Sequence, residues 1–192
     1  MVGAFWIVVG LRLAGTQTRA QELGSGYGGS LARSKIKEVQ TPGVDLAGRG
    51  LAARIESGTR DLQIIVLYFP PKPLWMKKAQ AQHTRTVSAL TRWLVQVLAS
   101  TAGRALPIVF TDLNSQLQQT PGIDSVGPCS AQTTSPAGIE LAAAMHDMEM
   151  VAVNTFVGDG SPTYFGKESS SQIDFCFVPR SALCAVGKVQ MC

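Results

Sequence analysis

The sequence predicts a single α+β domain in which strands predominate. Residues 62–69 are apolar on both faces from Ile64 to Leu67, which is typical of a central strand covered on both sides. Residues 77–100 carry apolar side chains every three or four positions, which predicts an amphipathic helix. Residues 173–178 alternate between apolar and polar, which is typical of a further strand. At 192 residues, the chain is long enough for one domain with its own core and too short for two.

The composition excludes several classes of protein. With 45% hydrophobic and 16% charged residues, the chain is too apolar to be disordered. A net charge of +4 permits a polyanionic partner, but no run of Lys or Arg forms a basic tail. The 4 cysteines form no C-x-x-C pair and have no histidine at metal-binding spacing, so we expect reduced thiols and no zinc site. These features favour an intracellular protein.

The N-terminal apolar stretch, residues 4–11, could be taken for a signal peptide. No Lys or Arg precedes it, and Arg12 interrupts it. It is also much shorter than the roughly 20 apolar residues that cross a bilayer. We therefore predict a buried strand here and no association with a membrane.

The middle of the chain predicts a hairpin, a long helix and a second helix. Residues 51–55 and 62–69 are two strands joined by a tight turn, and the second ends at Pro70 because proline cannot donate to a sheet. The helix over residues 77–100 would expose His83 to solvent. After a polar loop, Ser135 and the proline that follows it are typical of a helix start.

A short apolar run, residues 105–110, ends in an acid and an amide. If the strand continues, Asp112 and Asn114 face the same side because side chains alternate along a strand. A carboxylate beside an amide can orient a water molecule and hold a phosphoryl oxygen or a metal. The alternative is a strand followed by an Asp/Asn turn. Asp174, within the alternating segment, needs a partner because the strand is otherwise apolar.

Three segments resemble motifs of one family, the endonuclease/exonuclease/phosphatase superfamily. Residues 111–114, Thr-Asp-Leu-Asn, resemble its Gly-Asp-x-Asn motif, and residues 171–175, Ser-Gln-Ile-Asp-Phe, resemble its Ser-x-Ile-Asp-Tyr motif. Residues 67–71, Leu-Tyr-Phe-Pro-Pro, resemble its Tyr-x-Pro strand end. Their order and separation also match, and the likeness covers residues 24–180. The pattern is most similar to the endonuclease domains of non-LTR retroelements.

The resemblance implies a DNase I-like fold, a two-layer β-sandwich of mixed sheets flanked by helices, here incomplete at both ends. It also implies Mg²⁺-assisted hydrolysis of DNA or another phosphodiester. By the motifs, Asp112 would orient or deprotonate the attacking water, Asn114 would hold the scissile phosphate and Tyr68 would donate a hydrogen bond to a phosphate oxygen. Asp174 would orient a catalytic histidine. In a retroelement, the domain would belong to a longer polyprotein with a reverse transcriptase region.

The chain departs from the family pattern at two catalytic positions. Gly15 stands where the family has its metal-binding glutamate, and no Ser-Asp-His motif follows the Asp174 segment. We therefore expect a truncated copy of the domain whose activity is weakened or lost. Two alternatives stay open: a non-catalytic remnant that binds nucleic acid through its positive charge, and an unrelated α/β protein in which short motifs occur by chance.

Overall fold

The computed structural model describes residues 7–8, 36–56, 60–166, 170–186 and 190–191. It contains two α-helices and ten strands within those ranges. In chain order the elements are β1 (Ile7–Val8), β2 (Ile36–Gln40), β3 (Gly50–Ile55), β4 (Asp61–Tyr68), α1 (Lys77–Ala99), β5 (Ala105–Asp112), α2 (Pro136–Asp147), β6 (Met150–Ala152), β7 (Tyr164–Phe165), β8 (Ser170–Ser171), β9 (Asp174–Pro179) and β10 (Gln190–Met191). Of the strand predicted over residues 4–11, only β1 lies within the described residues.

One mixed sheet organises the described chain. It has six strands in the order β2-β3-β4-β5-β9-β6. The β4–β5 pair is parallel and the other neighbours are antiparallel. Two small antiparallel pairs, β1–β10 and β7–β8, accompany it. A parallel pair needs a long crossover, and α1 provides it. The predicted α+β fold with mixed sheets and flanking helices is confirmed.

Both helices cover the same face of this sheet. The predicted apolar stripe of α1 is buried, with Leu90 and Leu94 fully inaccessible to solvent, and it packs with Ile65 and Phe175 in the larger core. Helix α2 begins as predicted, because the Ser135 hydroxyl accepts a hydrogen bond from the Gly138 N–H at 3.3 Å. Neither of these helices is long and apolar enough to cross a membrane.

The opposite face of the sheet is covered unevenly. Over β5 and β9, side chains such as Ile108 and Val178 form a smaller core with the 3₁₀ segment Arg180–Ala185. Towards β3, Leu51 and Val66 on this face are 44% and 47% exposed. The prediction that β4 is covered on both faces is therefore wrong for its second half. The apolar run of β4 does not reveal how much of its second face other segments of the chain cover, because that depends on residues far away in the sequence.

Cysteine chemistry agrees with the sequence in the described residues. Cys129, Cys176 and Cys184 are free, as predicted. Burial raises the pKa of the Cys176 thiol to about 12, so this side chain behaves as a small apolar residue. Cys192 lies outside the described residues.

Buried Asp61 forms ion pairs with two more exposed arginines, Arg54 of β3 and Arg104 directly before β5, at the end of the sheet where β4 begins. The Asp61 carboxylate accepts hydrogen bonds from Arg54 at 2.7 and 3.0 Å and from Arg104 at 2.8 Å. The hydrogen bond from Arg54 is the main reason that the pKa of Asp61 lies below its usual value, with Arg104 adding to the effect. The cluster fixes the starts of β4 and β5 beside the end of β3.

We predict that Asp61→Asn lowers the melting temperature at pH 7, since it leaves two guanidinium groups without their carboxylate. A lowered pKa in the folded state stabilises the protein above the unfolded pKa, and this contribution is lost as the pH falls through the folded value. The difference between wild type and variant should therefore shrink in acid. Thermal melts at pH 7 and pH 3 measure it.

The matched control for this prediction is Glu56→Gln. Glu56 forms an exposed ion pair with Lys37 at 3.1 Å. Such surface pairs contribute only about 0–1 kcal/mol, so this variant should melt close to wild type. Equal melting of Asp61→Asn and Glu56→Gln would contradict the stabilising role of the cluster.

Candidate active site

Three of the four predicted site residues meet on one face at one end of the sheet. In the parallel β4–β5 pair, Tyr68 is the partner of Asp112, and in the antiparallel β5–β9 pair, Asp112 is the partner of Asp174. Directly paired residues on neighbouring strands project to the same face. Residues from three adjacent strands thus present a phenol and two carboxylates to one surface, on the side of the sheet away from the helices.

The two carboxylates are especially close partners. The Leu113 N–H donates a 2.9 Å hydrogen bond to the Ile173 carbonyl, which places Asp112 and Asp174 at a non-hydrogen-bonded position of the ladder. At such positions the Cα atoms are about 4.5 Å apart and the side chains are closest. Like charges directly opposite one another destabilise a sheet. A pair of acids at this position is therefore typical of a functional site.

The environment raises the pKa of both acids. For Asp112, burial is the main cause, the Asn114 N–H opposes it, and the nearby negative charge of Asp174 raises the pKa further. For Asp174, burial raises the pKa and a hydrogen bond with the Thr163 side chain opposes it. A carboxylate with a raised pKa is a better proton acceptor, which suits a general base.

Asn114 reaches the site through a turn and not along the strand. Strand β5 ends at Asp112, and Asn114 has a left-handed backbone with φ of 49°. Its N–H donates to Asp112 Oδ1 at 3.0 Å, and its side-chain Nδ2 donates to the Phe69 carbonyl at 2.9 Å. The prediction that strand alternation aligns Asp112 with Asn114 is wrong, and the alternative of an Asp/Asn turn is confirmed. The turn still brings Asn114 beside Asp112 and the end of β4.

Two residues that sequence reasoning missed hold Asp174 in place. Buried Asn154 donates from Nδ2 to the Asp174 carbonyl at 3.0 Å and accepts from the Cys176 N–H at 3.2 Å. The Thr163 hydroxyl accepts from the N–H groups of Ile173 and Asp174 at 3.0 and 3.1 Å. The sequence shows only that these two residues are polar. Their partners lie 10 to 22 positions away along the chain, so no local pattern predicts the contacts.

Within the described residues, neither histidine forms a hydrogen bond with Asp112 or Asp174. His83, on α1, is partly buried and has Nε2 at 3.0 Å from the Pro70 carbonyl oxygen, so it faces solvent only in part. His146, on α2, accepts a hydrogen bond at Nδ1 from the Asp124 N–H at 3.2 Å. Asp174 therefore has no imidazole of this chain to orient.

The described residues contain no group of three or more His, Cys, Asp or Glu side chains that could hold a metal ion. Gly15, which stands where the family has its metal-binding glutamate, lies outside the described residues. The oxygen groups that do meet are Asp112, Asp174 and Asn114.

The fold was compared with known proteins. No protein-family model and no curated protein sequence matches the chain. Among solved structures, a 3'-5' exonuclease (NExo) from Neisseria meningitidis matches at 13% identity and a TM-score of 0.55, over 80% of this chain and 62% of that one. A 3' phosphatase NExo from Neisseria, bound to product DNA hairpin, matches at 13% identity and a TM-score of 0.53, over 78% and 60%.

A third structure, the endonuclease domain of TRAS1, a telomere-specific non-LTR retrotransposon, matches at 14% identity and a TM-score of 0.44, over 73% of this chain and 59% of that one. The chain spans about 60% of the length of each of these three proteins. At such low identities, the two NExo structures establish the fold alone.

We predict that Asp112→Asn stabilises the protein at neutral pH by about 0.2–1 kcal/mol, because it removes one of two opposed charges. The amide oxygen still accepts the Asn114 N–H. Since the pKa of Asp112 is raised in the folded state, wild-type stability falls as the pH rises from the unfolded value through the folded one. The advantage of the variant should therefore appear over this range and vanish in acid.

Denaturant melts at pH 3 and pH 7 measure this difference. Asp45→Asn, at an exposed position, is the control for removing a negative charge. A destabilised Asp112→Asn at pH 7 would contradict the proposed repulsion.

Proposed function

We propose that this chain, which has the fold of the endonuclease/exonuclease/phosphatase superfamily, is a phosphodiester hydrolase-type domain that acts on DNA with weakened activity. The observation that carries the proposal is the opposed pair Asp112 and Asp174, both with raised pKa, at one end of the sheet beside Tyr68 and Asn114. The similar 3' phosphatase NExo from Neisseria is bound to a product DNA hairpin, which supports a nucleic acid as the substrate.

The residues take the following roles in the proposal. Asp112 orients the attacking water and accepts its proton, because burial and Asp174 both raise its affinity for a proton. The Asn114 amide, held by the Phe69 carbonyl, contacts an oxygen of the scissile phosphate. Tyr68, which is 41% exposed, donates its phenolic hydrogen to another phosphate oxygen. The sheet fixes the spacing of Tyr68 and Asp112, so their positions need no rearrangement on binding.

Asp112 and Asp174 are oxygen ligands of the type that Mg²⁺ prefers. Mg²⁺ prefers oxygen ligands and is often held by one or two carboxylates together with water and substrate phosphates. Asp112 and Asp174 supply two carboxylates whose mutual repulsion a cation would relieve. When bound, the ion would stabilise negative charge on the phosphate in the transition state.

The missing histidine sets the expected level of activity. A general acid/base typically contributes about 10²- to 10⁴-fold to a rate. Because neither His83 nor His146 forms a hydrogen bond with Asp112 or Asp174 in the described part of the chain, we expect hydrolysis slower by a factor of that order than in an enzyme with a complete site. The role of Asp174 in this proposal is to raise the pKa of Asp112 by its negative charge and, if Mg²⁺ were bound, to supply a second carboxylate for it.

Nicking of supercoiled plasmid DNA tests the proposal. We expect slow, Mg²⁺-dependent nicking by the purified chain that disappears in Asp112→Asn, because the variant has no carboxylate to accept the proton. The control, Asp45→Asn, removes an equal charge at an exposed site and should nick like wild type. Activity retained in Asp112→Asn, or lost equally in both variants, would refute the assignment.

A second candidate is a non-catalytic module that binds nucleic acid. Two observations favour it: among the described residues neither histidine forms a hydrogen bond with Asp112 or Asp174, and the net charge is +4. True phosphate contacts make affinity fall steeply as salt rises. Salt-dependent DNA binding without any nicking would support this candidate, and salt-independent binding would argue against it.

The wider setting of the domain is also a proposal. On the motif resemblance of residues 24–180, we propose a domain from a non-LTR retroelement, joined in a longer polyprotein to a reverse transcriptase region.

A further inference from the structure

A positive side chain extends the row formed by Tyr68, Asp112 and Asp174. Arg49 directly precedes β3, and its carbonyl accepts a 2.9 Å hydrogen bond from the Tyr68 N–H. The guanidinium carbon lies over the Tyr68 ring, 5.5 Å from the ring centroid. Arg49 is thus the neighbour of Tyr68 on the side opposite Asp112.

The row has a fixed order because it follows four adjacent strands. Along β3, β4, β5 and β9 it runs from a guanidinium to a phenol and then to two carboxylates. Neighbouring strands are about 4.8 Å apart, so the backbone of Arg49 lies roughly 10 Å from that of Asp112. Tyr68 separates the positive end of the row from its negative end.

The Arg49 side chain has donor capacity that the described protein does not use. Its Nη1 atom is buried and has no hydrogen-bond partner there. No carboxylate among the described residues forms an ion pair with it, whereas Arg54 pairs with Asp61. A buried donor without an acceptor costs free energy, which an incoming anion would recover. The planar guanidinium is well suited to a phosphate because it can donate two parallel hydrogen bonds.

We propose that Arg49 binds the phosphate next to the scissile one, with the nucleic-acid strand passing over Tyr68 from Asp112 to Arg49. This inference rests on the proposed function of the site and adds its substrate class. The site takes a strand with at least two consecutive phosphates and discriminates against a molecule with a single phosphodiester. The contact with the Tyr68 ring then serves to hold the guanidinium in position.

A binding experiment tests this assignment without relying on activity. The probe is a fluorescent single-stranded DNA oligonucleotide, titrated by polarisation at several salt concentrations. We expect Arg49→Ala to bind about tenfold more weakly, since a hydrogen bond to a charged group is lost. The slope of log affinity against log salt should also become shallower by about 1, which corresponds to the loss of one phosphate contact. Arg49→Lys, which keeps the charge but not the planar fork, should fall between the two.

The control is Arg92→Ala, at an exposed position on α1, whose buried side chains pack on the other face of the sheet. It should bind like wild type. Bis(p-nitrophenyl) phosphate, which has one phosphodiester, provides a second comparison. Arg49→Ala should lower its hydrolysis less than that of DNA, because it has no second phosphate to place beside Arg49. Thermal melts of each variant check that Arg49→Ala is folded, as expected since its carbonyl still accepts the Tyr68 N–H.

The outcomes separate this inference from the proposed hydrolase. Oligonucleotide binding that depends on Arg49 but no nicking would retain the inference and refute the hydrolase. If nicking depends on Asp112 but Arg49→Ala binds the oligonucleotide like wild type, the hydrolase is supported and the role of Arg49 is refuted. The inference is also overturned if wild type does not bind the oligonucleotide, or if Arg49→Ala reduces hydrolysis of the single phosphodiester and of DNA equally.

Discussion

The register of β5 between β4 and β9 is the constraint on which the candidate site depends. Parallel pairing runs from Asp61 with Ala105 to Tyr68 with Asp112, and antiparallel pairing sets Asp112 against Asp174. A slip of one residue would turn the end of β5 towards the helices. The larger core prevents this, because Ile65, Leu67 and Val109 on alternate positions must be buried against α1 and α2. The apolar face under the helices thus positions the polar groups on the other face.

Asp61 and Asp112 are acids at opposite ends of the same strand pair, and their charge environments differ. Asp61, where β4 begins, lies between two guanidinium groups, and its pKa is lowered. Asp112, where β5 ends, faces another carboxylate, and its pKa is raised. Charge partners account for the difference, since burial alone raises the pKa of either acid. Two cations of the chain stabilise the first acid, whereas no ion pair joins the second to a cation among the residues that the structure describes.

Much of the fold and part of the site followed from the sequence, because those features have a local signal. The helix over residues 77–100, the hairpin before it and the alternation around Asp174 are all set by the period of apolar residues. The pairing of Asp112 with Asp174 has no such signal, since register between distant strands depends on the whole sheet. Asn154 and Thr163 were missed for the same reason. The prediction for Asn114 was wrong because it extended strand geometry two residues past Asp112, where β5 ends.

Under the proposed function, the two like charges of Asp112 and Asp174 would couple the binding of a cation to the binding of a phosphate. A cation between the carboxylates would offset their repulsion and favour the ionised form of both, whose pKa values are raised in its absence. It also gives a phosphate group, which the two acids alone would repel, a positive neighbour. Arg49 offers a second positive group at the other end of the row, beyond Tyr68. A nucleic-acid strand that follows the row therefore meets positive charge at both ends only when the cation is present, so cation and strand should each increase the affinity for the other.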